Sequence, residues 1–367
     1  MKISKIEAFQ IDYSLMDREY AWSRGQSVSS LVSTIIRITT DVGLHGYGEV
    51  CPLGSAYMEA HAKGVPPGVE EIGKQLLGQD PCQLNRINHL MDMALSGHNY
   101  VKSPLDIACW DILGQATNTP VCTLLGGKAM DKYPLYRAIS QGRSEEMADD
   151  VSRYRGEGYR RFQLKVGGVI DEDIQRIKAV LGVIKPGDVL VADANTGWLP
   201  HQAIRVANAL EGEDLYMEQP CATLDECVIV RKHTPQPMVL DEVIRDVPSL
   251  MKAYNLGAMD VVNLKISRLG GLTKARQMRD LCQSLGIAMT IEDSWGGDIT
   301  TTTIAHLVAS TKPEYYFTST DFNSYIDIHL SEDSPRRREG WLEVPSGAGL
   351  GIRIKEEMLG VPVLTVE

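Results

Sequence analysis

Two lysines bracket three carboxylates along this chain, in the order Lys165, Asp193, Glu218, Asp241, Lys265. Each closes an apolar run: FQLK, VLVAD, LYME, MVLD and VVNLK. The steps between them are 28, 25, 23 and 24 residues, the length of one strand–helix unit repeated. If the runs are neighbouring parallel strands, all five groups open into one mouth. Three carboxylates there suit a hard divalent ion, Mg²⁺ above all, which prefers oxygen ligands and keeps positions open for substrate. Without an ion they repel and raise one another's pKa. A lysine near a cation and shielded from water has its pKa lowered and can serve as a base. With a substrate carboxylate held between the two lysines, one lysine removes the α-proton while the metal stabilises the enediolate. The other returns a proton on the opposite face or assists a leaving group. A lone Asp or Lys at a strand end is usually a solvated residue, but five in register are hard to dismiss.

The elements that must position these groups follow from the apolar pattern. From about residue 133 the runs PLYRAIS, RRFQLKV, DVLVADA, LYMEQP, PMVLDE, MDVVNLKIS, IAMTIED and YYFTST alternate with amphipathic stretches such as DEDIQRIKAVLGVIK. Eight short strands at about 25-residue spacing predict a (β/α) barrel, with catalytic groups at the C-terminal strand ends. DFNSYIDIHLSED is a poor helix, so the last helix is expected to be missing. An open doubly wound sheet is the competing architecture, but its glycine-rich phosphate turn is absent. Residues 1–50 alternate as antiparallel strands, with a hairpin turn at Asp41-Val42-Gly43, and residues 60–127 switch to helical patterning. The division expected is an α+β capping domain over 1–130, completed by residues 340–367 (WLEV, GIRI and VPVLTVE), and a (β/α)7β barrel over 131–339.

The bulk numbers exclude several classes. At 367 residues two domains are the natural division. No stretch approaches the roughly 18 unbroken apolar residues of a membrane span, and MKISKIEAFQIDY lacks a signal peptide's apolar block. These features predict a cytoplasmic protein without a membrane partner. A net charge of −11 argues against nucleic acid, and Arg336-Arg337-Arg338 reads as a short solvated loop. Seven scattered cysteines without a CxxC pair read as reduced core residues, so zinc through cysteine is not expected. The eight histidines form no ligand spacing.

At the lysines and carboxylates the chain resembles the enolase superfamily, in its muconate-lactonizing-enzyme-like group, over essentially its whole length. The resemblance implies Asp193, Glu218 and Asp241 as Mg²⁺ ligands and Lys165 and Lys265 as the acid/base pair. The group's strand-two Lys-x-Lys is here Gln163-Leu164-Lys165, which keeps the catalytic lysine and removes a cation near the metal. Relatives acting on sugar acids place a His on strand seven. Ile291-Glu292-Asp293-Ser294-Trp295 has none, which counts against sugar acids. The strings LYRAISQ, FQLKVGG, VADANTGW, EQPC, VLDEVI, GGLTKA, WGGDI and TDFNSY are similar to the cis-3-hydroxy-L-proline dehydratases, with hydroxyproline-betaine epimerases as cousins. That resemblance implies loss of the C2 proton, then of the C3 hydroxyl, and tautomerisation to Δ¹-pyrroline-2-carboxylate, with Lys165 as base for an L-substrate and Lys265 opposite, allowing some 2-epimerisation. The alternatives are a racemase or 2-epimerase of proline derivatives and a non-catalytic barrel. A retired site has no physical reason to keep three mutually repelling carboxylates.

The substrate expected is therefore a small carboxylate of the proline type, in a protein that forms a homo-oligomer. Tyr20, Trp22 and Tyr57, in the loops 18–23 and 51–57, either shape and dry the site or cover interdomain surface. Asp293 and Asp321 are candidates for the substrate amine. The group's amino-acid epimerases carry Asp-x-Asp after strand eight, and here it is Asp321-Phe322-Asn323. Trp295 can pack on a pyrrolidine ring or face a quaternary ammonium. Gln163, Asn195 and Glu242 are expected to support the metal ligands, Asn195 because it would share a strand side with Asp193 if the extended geometry continued.

Overall fold

A computed structural model describes residues 1–17 and 19–367; Arg18, in the expected 18–23 loop, lies outside the described residues. The N-terminal segment forms β1 (Ile3–Ser14), β2 (Tyr20–Trp22), β3 (Gln26–Val28), β4 (Ser30–Thr40) and β5 (His45–Val50). β1, β4 and β5 make an antiparallel sheet, and β2 and β3 form a separate two-stranded hairpin. Gly43, at φ +84°, turns β4 into β5 at the predicted hairpin, a conformation glycine adopts without steric cost. Three helices cover the sheet: α1 (Val65–Leu76), α2 (Leu84–Ala94) and α3 (Asn99–Ala116). α3 lies against β5 because β5 offers Gly46 and Gly48. A Cβ on Gly48 would stand 1.8 Å from the Pro104 carbonyl oxygen, and one on Gly46 2.2 Å from that of Ala108.

After the short β6 (Lys132–Pro134), eight parallel strands follow: β7 (Tyr136–Ile139), β8 (Arg161–Lys165), β9 (Val189–Asp193), β10 (Tyr216–Glu218), β11 (Met238–Leu240), β12 (Val261–Lys265), β13 (Ala288–Glu292) and β14 (Tyr316–Thr318). Each predicted run contains one of them. They hydrogen-bond in sequence order, and Tyr136 N–H closes the ring onto the Ser319 carbonyl at 2.8 Å. Helices follow the first seven, but after β14 the only helical pieces among the described residues are 3-10 turns, Phe322–Ser324 and, near the end, Glu356–Met358, so the fold is a (β/α)7β barrel. The alternation of a strand sends every second residue inward. Val191, Val239 and Val261 pack together as an apolar layer inside the barrel. Two and four residues beyond Val261 on the same strand face stand Asn263 and Lys265, so the inward column passes from apolar to charged toward the C-terminal ends.

Cap and barrel are bolted through buried carboxylates. Glu49 on β5 accepts N–H bonds from Gly297 and Thr300, each at 2.8 Å, at the start of the helix Asp298–Ala309 that follows β13. Asp106 on α3 accepts the Thr273 N–H at 2.8 Å and its hydroxyl at 2.6 Å.

Two expectations for the C-terminal pieces need correction. WLEV forms β15 (Trp341–Glu343), which pairs with β6 rather than with the capping sheet. GIRI forms no strand: Gly351 closes a turn onto the Ala348 carbonyl at 3.1 Å, and residues 352–354 take no regular structure. Only the last piece behaves as expected: β16 (Leu364–Val366) joins β1, with Ile6 opposite Val366. The arginine run is not a freely solvated loop either. Arg336 lies 3.3 Å from buried Asp298, and Arg337 pairs with Glu157 at 2.6 Å. All seven cysteines are free, and all but Cys82 are buried. Among the described residues no helix is long and apolar enough to cross a membrane.

Candidate active site

The five strand-end groups converge. Lys165 stands opposite Asp193 in the β8–β9 register and Asp193 opposite Glu218 in the β9–β10 register. Asp241 follows β11 directly, and Lys265 ends β12. All five are buried. Lys165 Nζ donates to Asp193 Oδ2 at 2.5 Å. Lys265 Nζ donates to Asp241 Oδ2 at 2.7 Å and to the Tyr57 hydroxyl. Glu218 receives the side-chain amides of Gln163, at 2.8 Å, and Asn263, at 2.9 Å.

The electrostatics carry the strain of this grouping. Burial, and then the charges of Asp193 and Asp241, push the Glu218 carboxyl well above its usual range. Glu242 is pushed up to about 8, by burial first and then by Asp241 and Asp193. Asp241 goes the other way: burial would raise it, but Arg268 and Lys265 together hold it below the carboxylate range. The lysines, set against carboxylates, shift upward. Burial does act to lower Lys165, yet the carboxylate of Asp193, with Tyr20 and Glu218, raises it well above the usual value. Lys265 is raised likewise by Asp241 and Glu292. Each ammonium is held by its carboxylate.

Whether these residues fit a divalent cation turns on their free lone pairs. Asn195 Oδ1 and Glu242 Oε2 are buried without a hydrogen-bond partner. Arg268 Nη2 forms an ion pair with Asp241 Oδ1 at 2.7 Å, which a cation would have to compete with. Among the described residues no three His, Cys, Asp or Glu side chains form a closed cage as they stand, because Lys165, Lys265 and Arg268 take up the carboxylate oxygens. The donor set is all oxygen, anionic and buried, and it fits a hard cation.

Asn195 does support Asp193, but not through a shared strand face. Its φ of +41° takes it out of the extended region. Its N–H instead reaches back to Asp193 Oδ1 at 2.8 Å, and its side-chain amide donates to Glu242 at 3.0 Å.

A cavity of about 20 Å³ lies between the lysines, room for about one water. Tyr20, Trp22, Tyr57, Gln163, Asn195, Asp293 and Trp295 line it with Lys165 and Lys265. The loop aromatics thus line the cavity between the lysines. Tyr20 packs edge-on to Trp295 with centroids 4.9 Å apart. Each lysine lies under one cap tyrosine, Lys165 Nζ 5.9 Å from the Tyr20 ring and Lys265 Nζ 4.8 Å from that of Tyr57. Tyr20 and Trp295 also line a neighbouring cavity of about 370 Å³, and Tyr57 one of about 180 Å³. These side chains are the walls between them.

Asp293 is present but committed, accepting the N–H groups of Ser267 at 2.9 Å and Ser294 at 2.7 Å; burial raises its carboxyl to about 6. Asp321 is not brought to the cavity. Thr320 and Phe322 line it, while Asp321 accepts from Tyr159 at 3.3 Å. Strand parity explains this, since Thr318 and Thr320 share the mouth-facing side and Asp321 falls on the other. Sequence reasoning missed Arg268, Asn263, Tyr136 and Glu292. The amide and the carboxylate had a signal: Asn263 stands two residues before Lys265 on the same strand face, and Glu292 ends β13 as Lys265 ends β12.

A capped (β/α)7β barrel with acids and bases at its strand ends defines a class of barrel enzymes. Residues 13–126 match the mandelate racemase / muconate lactonizing enzyme N-terminal domain, and residues 146–358 match the enolase C-terminal domain-like family. The chain belongs to the enolase superfamily, whose members depend on a divalent metal. Over 363 residues, 99% of both chains, it is 52% identical to the cis-3-hydroxy-L-proline dehydratase of Roseibium aggregatum. A mandelate racemase/muconate lactonizing enzyme from Roseovarius nubinhibens superposes with a TM-score of 0.96 at 40% identity, covering 100% of this chain and 98% of that one. An enolase-superfamily member from the same organism, complexed with magnesium, superposes at 0.95 with 37% identity, covering 100% and 99%.

Proposed function

We propose that this protein is an Mg²⁺-dependent hydro-lyase converting cis-3-hydroxy-L-proline to Δ¹-pyrroline-2-carboxylate. The observation that carries the reading is a pair of lysines from β8 and β12, four strands apart in an eight-stranded barrel, lining one cavity. Full-length identity to a dehydratase of that name supports the substrate, and the magnesium complex of a structural neighbour supports the metal. In this reading Asp193, Glu218 and Asp241 hold the ion, which supplies positive charge to the substrate carboxylate as the α-carbon gives up its proton. Gln163, Asn195 and Glu242 support those carboxylates. Residues 1–130 with the C-terminal segment serve as the cap. Six buried cysteines, all reduced, suit a cytoplasmic enzyme.

The substrate's stereochemistry divides the lysines. In the cis isomer the 3-hydroxyl and the carboxylate share a ring face, so the C2 hydrogen and the leaving hydroxyl lie on opposite faces. Lys165 takes the C2 proton, and the freed electron pair is first held in the substrate carboxylate; it then forms the C2–C3 double bond as the C3–O bond breaks. Lys265, on the far face, gives a proton to the departing hydroxyl, which leaves as water. The resulting enamine gains a proton at C3 and loses one from nitrogen, giving the imine. The cavity at the lysines is too small for a pyrrolidine ring as it stands, so Tyr20, Tyr57 or Trp295 must shift to admit it.

Proton NMR of the protein with Mg²⁺ and cis-3-hydroxy-L-proline in D₂O tests the reading. Loss of the C3 carbinol signal with growth of the pyrroline is the expected result. Deuterium entering C2 with the hydroxyl retained would replace the dehydratase by an epimerase.

A further inference from the structure

The two lysines are matched in register but not in partner. Each stands directly opposite a carboxylate on the next strand, Lys165 opposite Asp193 and Lys265 opposite Glu292. Asp193 is a candidate metal ligand, whereas Glu292 is not. Glu292 is buried, and its Oε1 lies 3.4 Å from Lys265 Nζ. The same oxygen accepts the Asn263 amide at 2.8 Å, and Oε2 accepts the Tyr136 hydroxyl. Both oxygens are thus fixed by groups on barrel strands.

The other two anchors of Lys265 are less dependable. Asp241 is shared with Tyr57 and Arg268 and is itself proposed to hold the metal. Tyr57 sits on a cap loop and forms part of the wall between two cavities, one of the three side chains that can shift to admit substrate. Of the three partners, only Glu292 keeps a fixed place while metal and substrate come and go. A side chain used for proton transfer has to be held this way by neighbours that are themselves locked.

We infer that Glu292 is the positioning residue for Lys265, braced by Tyr136 and Asn263, and that it keeps the Lys265 ammonium aimed at the leaving hydroxyl. This rests on the dehydratase reading. It implies that Glu292 acts on one face of the substrate only: proton removal at C2 by Lys165 does not need it, whereas departure of the hydroxyl does.

The test is the partition between two outcomes in one tube. Wild-type protein, Glu292→Gln and Tyr136→Phe are incubated with Mg²⁺ and cis-3-hydroxy-L-proline in D₂O, and C2 deuteration of recovered substrate is measured against pyrroline formed. In Glu292→Gln dehydration should fall on the order of 10- to 100-fold while C2 exchange changes by less than about 3-fold, raising the exchange-to-elimination ratio at least roughly tenfold. Tyr136→Phe, which frees one Glu292 oxygen, should shift the ratio the same way by less, and it keeps the inference open to refutation if Glu292→Gln fails to fold. Calorimetric Mg²⁺ affinity should stay within about 3-fold in both, since neither residue is a proposed ligand. Exchange and elimination falling in proportion, an unshifted ratio in both variants, or loss of Mg²⁺ binding would each overturn the inference. A wild-type protein that does not dehydrate the substrate at all would overturn the proposed function, and the inference with it.

Discussion

Lys165 and Asp193 are register partners on adjacent strands, and their side chains meet at 2.5 Å across that pairing. A proposed base and a proposed metal ligand are therefore fixed relative to each other by sheet geometry rather than by a loop. Lys165→Ala should abolish deuterium exchange at C2 of the L-substrate, a loss of at least about 10²–10⁴-fold. Calorimetric Mg²⁺ binding should persist, because the carboxylates remain. Unchanged exchange would remove Lys165 from the role.

Burial and then mutual repulsion raise Glu218 and Glu242, and a bound cation would relieve the repulsion. Adding Mg²⁺ should therefore raise the thermal midpoint, with a stabilisation of about 2.7 kcal/mol at one hundred times the dissociation constant. Chelation should reverse the shift and stop turnover. In Asp193→Asn the Mg²⁺-dependent shift should shrink, and an undiminished shift in scanning calorimetry would place the ion elsewhere.

Tyr57→Phe removes a hydroxyl that donates to Asp241 at 2.9 Å and accepts from Lys265, while keeping the ring over the lysine. Turnover should drop by about 10- to 100-fold, with little change in urea midpoint, since a single hydrogen bond contributes only about 1 kcal/mol. Steady-state kinetics beside a denaturation curve would show it. Equal loss of stability and activity would mean that Tyr57 only holds the cap.

His306 gives the fold a pH dependence of definite sign. It is wholly buried, and burial lowers its pKa to about 4. Nδ1 accepts the Cys122 N–H at 3.2 Å while Nε2 faces the Leu350 carbonyl at 2.9 Å, so the neutral Nε2–H tautomer satisfies both. The folded pKa lies below the unfolded value near 6.5, so the folded state binds fewer protons. Its contribution is complete above about pH 6.5 and is lost as pH falls through about 4, reaching about 3 kcal/mol. Urea unfolding from pH 7 to 4 should show this slope, and His306→Gln should flatten it.

Gly48→Ala should be severely destabilising, by more than about 3 kcal/mol, because the new methyl would meet the Pro104 backbone 1.8 Å away. The backbone of α3 cannot rotate aside as a side chain could. A urea midpoint within experimental error of wild type would contradict the close packing described between α3 and β5.

Much of this site could be read from the sequence, and the reasons differ by residue. Asp193, Glu218, Asp241 and the two lysines were legible because a barrel turns sequence spacing into angular position. Asn263 and Glu292 obey the same alternation and were overlooked, not hidden. Arg268 was hidden: it sits in ISRLGG, where an arginine reads as solvent-facing. Only the short helix Ile266–Leu269, ending at Gly270 with φ +99°, brings it back over Asp241. Asn195 defeated an extrapolation of strand geometry past the point where the backbone leaves it. Asp321 defeated the assumption that any carboxylate just past a strand points inward. WLEV was misplaced because β-pattern identifies a strand but not its partner.

The pairing of Ile6 with Val366 sets an order of events on the ribosome. β1 ends 350 residues before β16 begins (364 − 14), so one of its edges stays unpaired until the whole barrel has been synthesised. At about 5–20 residues per second that wait is on the order of tens of seconds. The barrel can close in the meantime, but the capping sheet cannot be completed before Leu364–Val366 has been made. An exposed strand edge through that interval is a site for chaperone capture or for mispairing between nascent chains.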